Sequence, residues 1–161
     1  MENPIRRPEE ILAYRTLRQI LASRPRDLWS VGPTDSVLGA LQIMNDKNIG
    51  FLPVLEGNRL VGVVSERDCA RKAVLAGKPL EATTVADIMV RDVVTVDPTH
   101  TFGDCLRLMH RHGIRHLPVI EGGKVVAVVS IRDLLGEAVA HNAKIIAELE
   151  RERLTMFIST A

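Results

Sequence analysis

The chain has 161 residues, enough for one domain or two very small ones. Its 46% hydrophobic and 25% charged residues are ordinary for a globular protein, and a net charge of +1 with 3% aromatics gives no basis for nucleic-acid binding by charge or by base stacking. No apolar run reaches the roughly 18 residues of a membrane span, and the N-terminus MENPIRRPEE lacks the apolar core of a signal peptide, so a cytoplasmic location is expected.

In chain order, RPEEILAYRTLRQILASRP (7–25) predicts a helix with Ile11, Leu12, Leu17, Ile20 and Leu21 on a partly apolar side. WSV (29–31) is a short β-prone run closed by Pro33, and Thr34 or Asp35 can cap the helix behind it. In that helix Val37, Ala40, Leu41 and Met44 recur at i, i+3, i+4 and i+7, one apolar stripe facing a core. FLPVL (51–55), the loop Glu56-Gly57-Asn58 and RLVGVVS (59–65) read as a β-hairpin. Pro53 cannot donate to a ladder, which places it at an edge or a strand end. After Ser65 the pattern turns helical again.

The chain then repeats itself. Shifted by 65 residues, Ser30–Val74 falls on Thr95–Val139 without a gap, with about 19 of about 45 positions identical. Upstream, TLRQIL matches TVADIM if three extra residues are allowed in the first copy. VVTV is closed by Pro98, and Thr99 or Thr101 can cap a helix striped by Phe102, Cys105, Leu106 and Met109. HLPVI, Glu121-Gly122-Gly123 and KVVAVVS form the second hairpin, with Pro118 in the place of Pro53. LLGEAVAHNAKIIAELERERLTMF (134–157) predicts a long helix with Val139, Ile146, Leu149 and Met156 or Phe157 along one side and a mixed-charge solvated face. Such a helix can dock a second subunit or pack back over the sheet.

Each copy is thus strand, helix, strand, strand, helix. One such unit is too small to bury much core alone. The expected fold class is α/β of the α+β type: two tandem β-α-β-β-α repeats packed about a pseudo-twofold axis, with extra N- and C-terminal helices and two clefts between the halves. The expected boundaries are an extension over 1–16, repeats over 17–80 and 85–141, and a C-terminal helix over 142–161.

The repeated Ser65-Glu66-Arg67-Asp68 and Ser130-Ile131-Arg132-Asp133 carry two compatible readings. Ser at the N-cap with Asp at N3 is close to a capping box, which needs no ligand. A strand end opening a helix N-terminus is also a natural anion site, and a carboxylate there can accept hydrogen bonds from both hydroxyls of a ribose. Arg67 and Arg132 could then face a phosphate, with the Ser hydroxyls completing the site. Cys69 and Cys105 read as reduced, partly buried thiols. The five histidines do not form a metal set: His112 and His116 are spaced i, i+4, but Gly113 ends the helix between them. No nucleophile, base and orienting group can be assembled, and neither phosphate-binding glycine motif is present. No enzyme activity and no metal are expected.

The tandem LPV, EG and VVS-x-RD pattern resembles a pair of CBS domains, a Bateman module. DIMVRDVVTVDP (87–98) and GIRHLPVIEGGKVVAVVSIRDLL (113–135) are similar to small stand-alone bacterial proteins of that kind. The resemblance runs from about Leu17 to His141. It implies a regulatory module without a catalytic cofactor that binds an adenosine-containing ligand: AMP, ADP, ATP, NAD(H) or S-adenosylmethionine, or in some members a cyclic dinucleotide. AMP, ATP and NAD(H) stand foremost. It also implies a homodimer, a regulated protein partner, and no membrane or nucleic-acid partner.

The resemblance implies the contacts too. Ser65, Arg67, Asp68, Ser130, Arg132 and Asp133 would hold ribose and phosphate. Backbone groups of Gly50, Phe51 and Leu52, and of Arg115, His116 and Leu117, would read the base edge. Ile49, Ile114, Pro53 and Pro118 would form walls, and Thr34 and Thr99 would add contacts unless they serve only as caps. Arg115 and His116 are basic where the first copy has Gly50 and Phe51, so the two clefts are unequal.

Overall fold

The computed structural model describes residues 14–23 and 27–159, with side chains up to Arg153. The expected helical positions Ile11 and Leu12 lie outside the described residues. The elements are α1 (Leu17–Ser23), α2 (Val37–Lys47), β1 (Phe51–Glu56), β2 (Arg59–Ser65), α3 (Glu66–Cys69), α4 (Phe102–His112), β3 (His116–Glu121), β4 (Lys124–Ser130) and α5 (Ile131–Ser159). A π-type turn over Ala70–Val74 prolongs α3, and a 3-10 turn covers Val85–Asp87.

The two hairpins are superimposable in register. Phe51 pairs with Ser65 in the first and His116 with Ser130 in the second, and both shift register at the same point, Val54/Leu55 and Val119/Ile120. Ser36 caps α2 by accepting from the Gly39 N–H at 3.0 Å. It replaces the expected Thr34 or Asp35, because Asp35 turns back to accept from the Gly32 N–H. Thr101 caps α4 in a full capping box with Asp104. Asn48 and Gly113 end these helices in the left-handed conformation, at φ 52° and 62°.

The expected leading strands are much reduced. Val31 and Val96 each form one isolated parallel bridge, to Val54 and Val119. Prolines explain the length. Val31 donates to the Pro53 carbonyl and accepts from Leu55. A longer parallel ladder would next need an N–H from Pro53 on one side and from Pro33 on the other, and neither has one. Pro98 and Pro118 impose the same limit on Val96. Pro53 and Pro118 thus lie inside their strands, on the edge where pairing stops.

Each copy's leading segment packs on the other copy. Leu17 and Arg18 donate to the His100 and Pro98 carbonyls at 3.0 and 2.9 Å, while Val85 and Ala86 donate to Asp35 and Pro33 at 2.8 and 2.9 Å. The acceptors are repeat equivalents. Burial follows the exchange. One core joins Val37, Ala40, Met44, Leu52, Val54 and Val64 to Val85, Ile88 and Met89 of the second copy's leading segment. The other joins Phe102, Cys105, Met109, Leu117, Val119 and Leu134 to Leu17 and Ile20. Residues ahead of α1 are pinned as well. The Tyr14 ring stacks on Phe102 at 4.2 Å, and the Arg15 guanidinium forks onto the nearly buried Glu137 carboxylate at 2.7 and 2.5 Å. That hydrogen bond to Glu137 raises the already high Arg15 pKa.

Leu17→Ala tests the exchange. Leu17 is fully buried, so the truncation should cost about 3 kcal/mol in urea denaturation. Amide protection should fall in α4 and β3 more than in β1, although Leu17 leads the first copy.

Candidate functional site

Each repeat turns from a sheet into a helix at its Ser-x-x-Asp segment. Ser65 holds an extended backbone at the end of β2, and α3 begins at the next residue. The Asp68 N–H donates to Ser65 Oγ at 3.2 Å, while the Ser65 N–H and hydroxyl donate to Asp68 Oδ2 at 3.1 and 2.6 Å. Ser130 and Asp133 repeat the set at 3.2, 2.8 and 2.7 Å. Both junctions are therefore complete capping boxes. Each box occupies Oδ2 of its aspartate, so a ribose would have to engage Oδ1. In the first copy Lys72 Nζ already stands 3.0 Å from Asp68 Oδ1. Asp133 is 8% exposed.

The segments before LPV lie beside these junctions. The Glu66 N–H donates to the Gly50 carbonyl at 3.1 Å, and the Ile131 N–H to the Arg115 carbonyl at 2.8 Å. The hairpin register sets Phe51 across from Ser65 and His116 across from Ser130. The Phe51 and His116 rings then stack on each other at 4.7 Å, 10° from parallel. These are equivalent residues of the two repeats, so the stack marks the pseudo-twofold axis, with one junction on either side. Burial, and then the neighbouring Arg115 charge, push the His116 pKa down, while Asp133 opposes them.

The remaining expected contacts divide into core and surface. Leu52 and Leu117 are fully buried, and Pro53 and Pro118 are buried with them. Arg67 and Arg132 are exposed on the first turns of α3 and α5. Thr34 is exposed; the exposed Thr99 folds onto Asp97 Oδ1 through its N–H at 2.7 Å and through its hydroxyl.

The two junctions differ in charge. A β-carbon on Gly50 would come 3.1 Å from a Glu66 carboxylate oxygen. The first junction therefore combines a glycine with an acid, and the second combines Arg115 with Ile131. Glu66 was missed as a site residue, although SERD against SIRD in the repeat alignment carries the difference.

Two open cavities border α4. One of about 470 Å³ is lined by Leu106, Met109, His110, Gly113, Ile114, Arg115 and Ile131. It reaches the second junction through Ile131, has apolar walls, and bears Arg115 and His110 as its basic groups. The other, of about 610 Å³, lies over Thr99, His100, Asp104, Arg107, Leu108, His110 and Arg111. Both volumes fall in the range of small-ligand sites.

Among the described residues no group of three His, Cys, Asp or Glu is placed to hold a metal. No described helix is long and apolar enough to cross a membrane. Cys69 and Cys105 are unpaired and fully buried, and burial pushes both thiols up to about 11.

Comparison with known proteins gives a consistent picture. The CBS domain model matches twice, over residues 18–74 and 85–140. The CBS domain-containing protein CBSX3, mitochondrial, of Arabidopsis thaliana is 32% identical over 158 residues, covering 92% of this chain and 75% of the relative. A solved structure of a protein with CBS domains from Burkholderia ambifaria is 40% identical, with a TM-score of 0.75 over 78% of this chain and 95% of that one. The inosine-5'-monophosphate dehydrogenase of Korarchaeum cryptofilum is 37% identical over 112 residues, which are 68% of this chain and 22% of the enzyme.

Two predictions follow from the junction geometry. Ser130→Ala should cost about 1 kcal/mol in urea denaturation with no nucleotide present, as loss of a helix cap does. The lowered His116 pKa means that the unfolded chain takes up this proton first as pH falls. The stability tied to His116 is thus complete above about pH 6.5 and is lost as the pH drops from there through the folded value. His116→Phe, which copies Phe51 across the axis, should flatten that part of a melting-temperature profile.

Proposed function

The chain belongs to the CBS-domain family as a tandem pair, and from that premise we propose that it senses an adenosine-containing nucleotide of the AMP, ADP, ATP, NAD(H) or S-adenosylmethionine class. Tandem CBS pairs are in general regulatory ligand-binding modules. The observation that carries the reading is the cavity of about 470 Å³ at the second junction. Ile114 and Ile131 offer apolar walls to a planar base, and Arg115 offers a charge to a phosphate. Ser130 precedes the Ile131 wall in the chain, and Asp133 follows it by two residues. The first junction, with Glu66 over Gly50, is the weaker site for an anionic ligand.

In this reading the protein is not an enzyme and works in the cytoplasm as a homodimer. A ligand held at the second junction favours one arrangement of the halves over the other, and a protein partner reads that arrangement. The match to a fifth of a dehydrogenase supports the module's use as an attachment to other activities.

A second reading is favoured by the capping boxes: the repeated Ser-x-x-Asp segments do no more than start helices, and the chain is a ligand-free dimerisation adaptor. Thermal melts with AMP, ATP, NADH, S-adenosylmethionine and cyclic di-AMP separate the two. A ligand at about a hundred times its Kd should add roughly 2.7 kcal/mol of apparent stability, and Arg115→Ala should remove most of the shift. If none of the five moves the melting temperature, the adaptor reading stands.

A further inference from the structure

The two hairpins are equivalent, but their outer edges are not. Val63 of β2 stands opposite Pro53, which has no N–H to give, so the Val63 main-chain groups point away from β1. Val90 closes them. The Val63 N–H donates to the Val90 carbonyl and the Val90 N–H to the Val63 carbonyl, both at 2.9 Å. Val128 of β4 stands opposite Pro118 in the same way. Among the described residues its outward N–H and carbonyl meet no partner. Val126 beside it is 42% exposed.

The difference comes from the segments that lead each repeat. Leu17 and Arg18 make the hydrogen bonds that Val85 and Ala86 make in the other half, so Ala22 is the counterpart of Val90. After one 3-10 turn over Val85–Asp87 the chain is released, and Val90 reaches β2. Ala22 is held within α1, which runs on to Ser23, and its N–H is turned along the helix axis. The shared bulge does not blunt the edge, because β2 carries it too and is closed nonetheless. Charge is left over at the same edge. In the first hairpin Arg59 pairs with Glu56 at 2.6 Å. In the second, Arg18 takes Glu121 at 2.7 Å, and the exposed Lys124 at the start of β4 has no ion-pair partner among the described residues.

We infer that β4 is a docking edge for an extended segment of a partner protein, added antiparallel as Val90 is on β2. The segment presents an apolar, β-branched residue at Val128. Antiparallel sense carries it from there toward Lys124, so it bears a carboxylate on its C-terminal side. This gives the protein partner of the proposed function a place and a mode of contact. It rests on that reading only for the existence of a partner, and it needs no nucleotide, so nucleotide melts without a shift leave it standing.

Amide exchange and an NMR titration of the full chain, with no nucleotide present, test it. In the free protein the Val63 amide should be protected and the Val128 amide should exchange freely. The probe is the peptide acetyl-IMVRVTE-amide, which begins as residues 88–91 do. At millimolar concentration it should shift the Val126 and Val128 amides and slow exchange at Val128, with Val63 unmoved. Lys124→Glu should weaken that response and strengthen the response to acetyl-IMVRVTK-amide, a reversal that loss of fold would not produce. A Val128 amide already protected in the dilute free chain overturns the proposal. So do shifts at Val63 in place of Val128, equal shifts with a scrambled peptide, or no shift at all. Protection of Val128 that appears only as the protein is concentrated assigns the edge to a second copy and overturns the partner segment.

Discussion

Each hydrophobic core of this molecule is closed by a segment delivered from the other repeat. Leu17 and Ile20 finish the core built on Phe102, Leu117 and Leu134, and Val85, Ile88 and Met89 finish the one built on Val37, Leu52 and Val64. A single repeat has one helix-covered hairpin and too little surface to bury on its own. The exchange binds the halves through backbone hydrogen bonds at equivalent carbonyls, so the pseudo-twofold relation between them is set by main chain. Side chains then differ without disturbing it. Gly62 shows how close the fit is: a β-carbon there would come 2.6 Å from Met89 Sδ of the other repeat.

On that symmetric frame the chemistry is asymmetric. The Phe51–His116 stack is a pair of equivalent positions that have diverged, one apolar and one titratable. Around it, the first junction carries Glu66 where the second carries Ile131, and the second carries Arg115 where the first carries Gly50. The second side presents an arginine beside its junction where the first presents an acid. The capping boxes start both helices at the same place irrespective of charge, because in each the serine and Oδ2 of its aspartate meet the same backbone groups.

Much of this was legible in the chain. The duplication fixed the order of elements, and the i, i+3, i+4 stripes of α2 and α4 named the buried residues, with Leu41 and Leu106 only half-buried at the margin. The hairpins were readable from glycines between β-branched runs. The first strands were overestimated because a β-prone run says nothing of its partner: Val31 stops at one bridge on account of Pro53, 22 positions later in the numbering. Ser36 took the cap expected of Thr34 or Asp35 because Asp35 serves the turn at Gly32 instead. The exchange itself left no local signal, since TLRQIL and TVADIM have the same pattern whichever core they enter. For the site, Ser65, Asp68, Ser130 and Asp133 were legible as helix starts, and the occupation of Oδ2 required coordinates.

The exchanged segments also bear on how the chain folds as it is made. During synthesis from the N-terminus, the first core has all of its parts once Met89 has left the ribosome. Leu17 and Ile20, made far earlier, meet their first core partners only from Val96 onward and have the full set once Leu134 follows. This leading segment of the first copy is therefore buried after the core that follows it, and the nascent chain carries a greasy leader while the second copy is being made. Chaperone contact during synthesis would concentrate on that leader, ahead of a half that is already folded.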